Sequence, residues 1–223
     1  MTVTATPAPF PFEGALRDSL EIFQKNAVPY VILLLIAGAP AFLGNLLVYL
    51  TGLALLGSLL SLVGAVITII AVASVQIALL DGSNDLTAAR AKVMPRLLPL
   101  IGLALLVGII VIIGMVLLIV PGVIAACALL TAIPLFLDQN TGVIDSLQRS
   151  VELTKGNWLR IFLMLLIFGL PAAIVIGIIS YIFTMILGFL GAALVSWLLT
   201  APITAFEAVL IVVAYRKLKG GYV

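Results

Sequence analysis

Three long stretches without charged residues constrain the fold of this chain more than any other feature of its sequence. Residues 26–80 and 97–137 contain no Asp, Glu, Lys or Arg, and residues 161–215 contain only Glu207. A helix rises about 1.5 Å per residue, so roughly 20 residues cross the ~30 Å hydrocarbon core of a bilayer. Each stretch is therefore long enough for two crossings. The pattern predicts three hairpins and six transmembrane helices.

The composition excludes a soluble globular domain and several kinds of chemistry. Only 9% of the 223 residues are charged and 64% are hydrophobic, whereas charged residues make up about a quarter of an ordinary soluble domain. The chain has no His, and Cys127 is its one cysteine, which argues against imidazole catalysis, the usual zinc sites and a disulfide framework. We therefore predict an all-α, polytopic membrane helical bundle with no cofactor and no metal.

The charged residues occur in clusters that separate the apolar stretches. They span residues 13–25, 81–96, 138–160 and 216–219. Each hairpin contains a candidate turn without charge: Gly44-Asn45 or Thr51-Gly52, the stretch from Gly114 to Pro121-Gly122, and Gly188 to Gly191. Because basic residues are retained in the cytoplasm, we expect the clusters and both termini on the cytoplasmic side of the membrane, with the turns outside.

The hairpins are expected to form one membrane domain with a short segment at each end. The predicted divisions are a mobile Thr/Pro-rich tail over 1–12, a six-span domain over 13–215 with repeats at about 13–80, 81–137 and 138–215, and a basic cytoplasmic tail over 216–223. The first segment lacks the basic start and the apolar run of a cleavable signal peptide.

An internal repeat defines the building unit. Residues 15–36 and 146–167 align without a gap at an offset of 131, and the middle copy, from Leu86, is weaker. The unit is a short charged helix followed by a hydrophobic hairpin. The charged helix has one apolar side, so we expect it to lie in the inner interface of the membrane. The alternative is a plain cytoplasmic extension of the following span.

Two stripes of small residues occur at corresponding positions of the second and sixth predicted spans. They are Gly57, Ser61 and Ala65, and Gly188, Ala192 and Ser196. Small residues one turn apart let membrane helices approach closely, so we predict that both stripes are helix-packing surfaces. A dimer seam and a permeation path are the alternatives.

Glu207 is the one ionisable residue predicted within a span. It lies nine residues before Arg216, or about 13 Å inward along the helix axis. A carboxylate at such depth usually faces the bundle interior, a partner or water. The repeat offset places Gln76 at the equivalent position. We hypothesise that Glu207 meets Arg160 or Arg96 at the inner mouth, as a structural anchor or as a substrate or proton site.

One segment, residues 121–162, carries a resemblance to a known family. The matching residues are Pro121-Gly122, Asp138, Ser146, Ser150 and Gly156-Asn157-Trp158. This pattern resembles a bacterial family of six-span inner-membrane proteins that includes the membrane domain fused to some glycerophosphodiester phosphodiesterases. The resemblance implies the fold and the location. It does not imply the hydrolase activity, because the separate catalytic domain, rich in His and Glu, has no counterpart in this chain.

Two functions follow as alternatives. The first is a non-enzymatic accessory or scaffolding subunit that binds membrane lipids or another membrane protein complex. The second is a small permease or lipid-handling transporter with a polar site around Gln76 and Glu207. An intramembrane enzyme fits least, because one carboxylate lacks an acid/base partner, and no nucleic-acid partner is expected. A wet cavity reaching Glu207 would favour transport, and small-residue stripes packed shut would favour a scaffold.

Overall fold

A computed structural model describes residues 10–83 and 85–220 of the chain. Over these residues the chain is helical and has no strand, which confirms the all-α prediction. The helices are α1 (Phe12–Thr51), α2 (Ala54–Asp81), α3 (Leu86–Val93), α4 (Leu97–Leu117), α5 (Ile119–Leu129), α6 (Ala132–Gln139), α7 (Val143–Thr154) and α8 (Trp158–Gly220). A short 3₁₀ turn, Met94–Arg96, joins α3 to α4.

Five helical stretches in the described part of the chain are long and apolar enough to cross a membrane. They are Phe12–Thr51, Ala54–Asp81, Leu86–Leu117, Ile119–Gln139 and Trp158–Gly220. Their surfaces carry many large apolar side chains, of which Leu98 is 82% and Val116 80% exposed. Such extensive apolar exposure is unfavourable in water and suits a lipid environment. The chain is therefore a helical membrane protein.

Helix α8 reverses its direction at Gly188. This residue has φ 66° and ψ −157°, a conformation that glycine adopts readily and other residues do not. The hydroxyls of Ser180 and Ser196 share a hydrogen bond of 2.9 Å, although a straight helix would hold residues so far apart in sequence about 24 Å from each other. The two halves, here called α8a (158–187) and α8b (189–220), therefore form a hairpin, with its turn in the predicted stretch.

The other two turns also lie within predicted stretches. Helix α1 ends at Thr51, and Gly52 caps it in the left-handed conformation with its N–H bonded to the Val48 carbonyl. The alternative turn at Gly44-Asn45 is wrong, because Gly44 is buried inside α1. An extended residue, Leu118, separates α4 from α5. Each turn thus uses a backbone conformation that stops a helix without needing a charged residue.

Helix α1 packs most closely against α2, through glycines. A Cβ on Gly44 would lie 2.5 Å from the Gly57 carbonyl oxygen, and a Cβ on Gly64 would overlap the backbone of Ala41. The predicted stripe is thus partly right: Gly57 is buried and Ser61 half-buried at this contact. Ala65 is exposed and lies outside it. Gly64 takes its place because the crossing of the two helices follows i+3 and i+4 positions alternately.

The hydrophobic core consists of two clusters that meet on α2. One joins α1, α2 and α8, and the other joins α2 to α3, α4 and α6. Helix α2 supplies Val75 to the first cluster and Ile77 to the second. It therefore occupies the middle of the bundle, with apolar neighbours on both sides.

The end of α8 forms ion pairs with two of the charged clusters at one end of the bundle. Lys217 pairs with Asp18 at 2.7 Å and Lys219 with Asp138 at 2.6 Å. Arg216 donates to the Leu79 carbonyl. Residues 216–220 are therefore the last part of a packed helix, and the predicted basic cytoplasmic tail over 216–223 stays a prediction. Residues 221–223 lie outside the described part of the chain.

The opposite terminus is also anchored where it is described. Phe10 is buried, and its N–H donates to the Asn157 side-chain oxygen at 3.0 Å. The prediction of a mobile tail holds for neither Phe10 nor Phe12, which begins α1. It is untested for residues 1–9, which lie outside the described residues.

The charged helices of the repeat differ from one another. The first is not separate, since α1 runs unbroken from Phe12 to Thr51, as the extension alternative predicted. The third is the separate helix α7, and its buried side is polar: Ser150 and Thr154 both donate to the Ala128 carbonyl. This helix therefore packs on α5 through hydroxyl groups, and its Val151 is exposed.

Candidate functional site

A cleft of about 870 Å³ lies between α1, α2 and α8b, and we call it the membrane cleft. Its wall is mainly aliphatic and aromatic, with a few hydroxyl groups and one amide. The lining residues are Leu34, Gly38, Ala41, Phe42, Asn45, Val48, Tyr49, Ser58, Thr68, Phe189, Ala192, Ala193, Ser196, Trp197, Thr200, Ala201 and Thr204. None of these described residues is charged. The lining is suited to an apolar ligand with weak hydrogen-bonding needs.

Small residues on α8b create the space. Ala192, Ser196, Thr200 and Thr204 recur four residues apart, which places them along one helix face. The predicted packing stripe is therefore corrected for the sixth span. Gly188 forms the turn, Ser196 shares a hydrogen bond with Ser180 of α8a, and Ala192 and Ser196 line the open cleft toward α1.

Aromatic pairs hold the walls of the cleft apart. The rings of Phe42 and Trp197 stack with centroids 5.1 Å apart, and those of Tyr49 and Phe189 with centroids 4.2 Å apart. Both pairs join α1 to α8b, and bulky rings prevent the backbones from approaching as closely as those of α1 and α2. The Trp197 Nε1 is buried and has no hydrogen-bond partner in the described part of the chain.

The hypothesis that Glu207 meets Arg160 or Arg96 is wrong for the described residues. The Glu207 side chain is exposed on α8b, and no ion pair among the described residues includes it. Arg160 is exposed near the start of α8a. Arg96 instead donates to the carbonyls of Phe136 and Thr141 at 2.9 and 2.6 Å. Its guanidinium therefore connects the turn before α4 to α6.

Gln76 and Glu207 do not share a cavity. Gln76 is 2% exposed, and its Oε1 has no hydrogen-bond partner in the described part of the chain. It lies on α2 between the two core clusters, whereas Glu207 is on the surface of α8b. Neither residue lines the membrane cleft. The polar pair expected from the repeat is therefore split between the interior and the outside of the bundle.

The sequence did not predict a polar network that lies at the charged end of the bundle. Asp138 accepts hydrogen bonds from the Tyr215 hydroxyl and from Lys219, both at 2.6 Å. Gln139 donates to Tyr215 at 3.3 Å and accepts from Arg149 at 2.7 Å. Tyr215 and Lys219 lie far from Asp138 in sequence, so spacing along the chain could not pair them. The groups satisfy one another, which is typical of a structural network.

Fold and surface together define the class: a polytopic helical membrane protein with an uncharged cleft among its apolar helices. No protein-family model, curated protein or solved structure matches the chain. The resemblance to the glycerophosphodiester phosphodiesterase membrane domain therefore stays a prediction.

Proposed function

We propose that this chain is a non-enzymatic accessory or scaffolding subunit of the bacterial inner membrane that binds membrane lipid in the membrane cleft. The cleft itself carries the proposal. Its volume, about 870 Å³, falls in the range of small-molecule sites, roughly 300 to 1,000 Å³. From Leu34 to Tyr49 it follows α1 for about 22 Å, a large part of the ~30 Å hydrocarbon core. An acyl chain lying along the helix would match this shape.

The other function, a small permease or lipid-handling transporter, has weaker support. It needs a polar path through Gln76 and Glu207, and neither residue lines the membrane cleft. The α1–α2 stripe, through Gly57 and Ser61, is packed shut. A closed stripe beside an uncharged cleft favours a protein that holds lipid over one that moves a polar solute.

We also propose six crossings, with both termini and the charged clusters in the cytoplasm. The crossings are α1, α2, α4, the α5–α6 pair, α8a and α8b. The positive-inside rule supports this orientation, because Lys and Arg lie at the end of the bundle opposite the turns at Gly52 and Gly188.

Cysteine labelling tests this topology. In a Cys127→Ala background, single cysteines at the exposed positions Leu53, Leu118 and Leu187 report the three turns. We expect a membrane-impermeant maleimide to label all three in intact spheroplasts, and to label Ser83→Cys, at the charged end, only after lysis. Labelling of Ser83→Cys in intact spheroplasts would reverse the orientation. If Leu118→Cys alone were not labelled in intact spheroplasts, the second hairpin would not reach the outside, and the proposal of six crossings would fail there.

Filling the cleft tests the lipid site. Ala192→Phe adds a ring to the lining, so we expect the fraction of purified protein that retains phospholipid in native mass spectrometry to fall roughly tenfold, equivalent to about 1.4 kcal/mol. Ala173→Phe makes the same change at an exposed position of α8a and should leave lipid retention unchanged. Equal retention in both variants would contradict the site.

A mild-detergent pull-down tests the subunit role, which requires a stoichiometric protein partner.

A further inference from the structure

Glu207 is a carboxylate without a partner at the edge of the apolar part of the bundle. It is the one charged residue within 161–215 and its side chain is exposed. No ion pair among the described residues includes it. Charged side chains beside the hydrocarbon region are normally paired, because an isolated charge is poorly solvated there. The structure therefore leaves a carboxylate that no described residue pairs with, and that is open to a group from outside the fold.

The position of Glu207 relates it to the membrane cleft. Thr200 lines the cleft and Glu207 follows seven residues later, about two turns along the same helix face. Thr204, the lining residue of α8b nearest the charged end, precedes Glu207 by about 4.5 Å along the axis. The carboxylate thus lies just beyond one end of the cleft, and the cleft extends from there toward Tyr49 and Phe189.

The depth of Glu207 matches a lipid headgroup. It lies nineteen residues after Gly188, or about 28 Å along α8b, close to the ~30 Å thickness of the hydrocarbon core. With the Gly188 turn at one boundary of the core, Glu207 lies at the other boundary. An acyl chain in the cleft would then belong to a lipid of the leaflet at the charged end, with its headgroup at the level of the carboxylate.

The charge of the site selects the headgroup. The nearest basic residues along α8b are engaged elsewhere, since Arg216 bonds to the Leu79 carbonyl and Lys217 pairs with Asp18. The cleft lining supplies no charge among its described residues. A ligand that fits therefore needs an apolar chain and a cationic group at one end, whereas an anionic headgroup would be repelled by Glu207.

We infer that the membrane cleft and Glu207 form one site for a phospholipid with a primary ammonium headgroup. The ammonium binds the Glu207 carboxylate through a charge-assisted hydrogen bond, and an acyl chain fills the cleft between α1 and α8b. This inference rests on the proposed lipid-binding function and deepens it, because it names the headgroup class and the residue that recognises it.

Lipid titration of the delipidated protein, followed by native mass spectrometry, tests the inference. The probes are phosphatidylethanolamine and phosphatidylglycerol with identical acyl chains. We expect the wild-type protein to bind phosphatidylethanolamine roughly tenfold more tightly, and Glu207→Gln to remove that preference. Glu207→Asp keeps the charge and should keep the preference, while Glu13→Gln, which removes an exposed carboxylate of the first charged cluster, should not alter it. Monodisperse elution and unchanged thermal unfolding establish that each variant is folded.

The outcomes separate the inference from the function on which it rests. Equal affinity for the two lipids, or a preference that survives in Glu207→Gln, overturns the headgroup assignment while the lipid site in the cleft stands. Binding of neither lipid, with Ala192→Phe indistinguishable from wild type, overturns the lipid site itself. A co-purifying protein that Glu207→Gln releases, without any bound lipid, would also overturn the inference and assign the carboxylate to a protein interface.

Discussion

Gly64→Ala is expected to destabilise the bundle by about 1 to 3 kcal/mol, the usual range for overpacking a tight interior. An added Cβ would lie 2.8 Å from the Ala41 Cβ and closer still to the Ala41 backbone nitrogen. A backbone atom cannot move out of the way as the end of a flexible side chain can, so α1 and α2 must separate. Separation would also lengthen the hydrogen bond of 3.4 Å from the Thr68 hydroxyl to the Ala37 carbonyl.

The sign of this effect is informative because Gly→Ala normally stabilises a helix, by roughly 0.5 to 1 kcal/mol. Gly177 provides the matched control: it lies in α8a, and an added Cβ would meet no atom within 4 Å. Thermal unfolding in one detergent should therefore show a lower midpoint for Gly64→Ala and an unchanged or higher midpoint for Gly177→Ala. Two equal shifts would mean that the α1–α2 contact is looser than the structure indicates.

Arg96→Ala should produce the second large loss of stability. The guanidinium donates to the Phe136 carbonyl at 2.9 Å and to the Thr141 carbonyl at 2.6 Å, and it lies 3.9 Å from the centre of the Phe136 ring. Each hydrogen bond from a charged donor contributes about 1.5 to 3 kcal/mol. Truncation removes both bonds, one to α6 and one to the loop that follows it. We therefore expect a loss of at least about 2 kcal/mol.

Two further variants identify the cause of that loss. Arg160→Ala removes the same charge from an exposed position and should change stability by less than about 0.5 kcal/mol, as surface substitutions usually do. Arg96→Lys keeps the charge but loses the fork geometry that reaches two acceptors, so it should recover only part of the loss. Thermal unfolding and limited proteolysis of the α6–α7 connection measure both. Full recovery by lysine would show that charge alone matters.

The turns illustrate what local sequence could predict. Gly52 and Gly188 have positive φ, a conformation that strongly favours glycine, so residue type and position in an apolar stretch were enough to include both among the candidate turns. The choice between Gly44-Asn45 and Thr51-Gly52 could not be made the same way. Gly44 lies inside α1 where α2 approaches it closely, and spacing along the chain does not contain that tertiary contact.

The polar residues illustrate what local sequence could not predict. Glu207 was correctly recognised as exceptional, but its expected partners were chosen by depth alone. Arg96 already satisfies two carbonyls, and Lys219 and Tyr215 satisfy Asp138, so the pairing depends on helix rotation and on contacts between distant segments. Depth along a span follows from counting residues, whereas the direction in which a side chain points depends on the neighbouring helices.

By itself the sequence determined the class of this protein and narrowed its turns to three uncharged stretches, because the cost of burying charge in lipid and the freedom of glycine are local properties. Only the tertiary structure decided what its two stripes of small residues do. Gly57 on α2 faces Gly44 on α1, so the backbones of these two helices are in close contact. Beside Ser196, the ring of Trp197 stacks on Phe42 of α1, and these two rings hold α1 and α8b apart and leave a cleft. A small residue permits close approach, but the residue that faces it determines whether the space is closed or left open for a ligand.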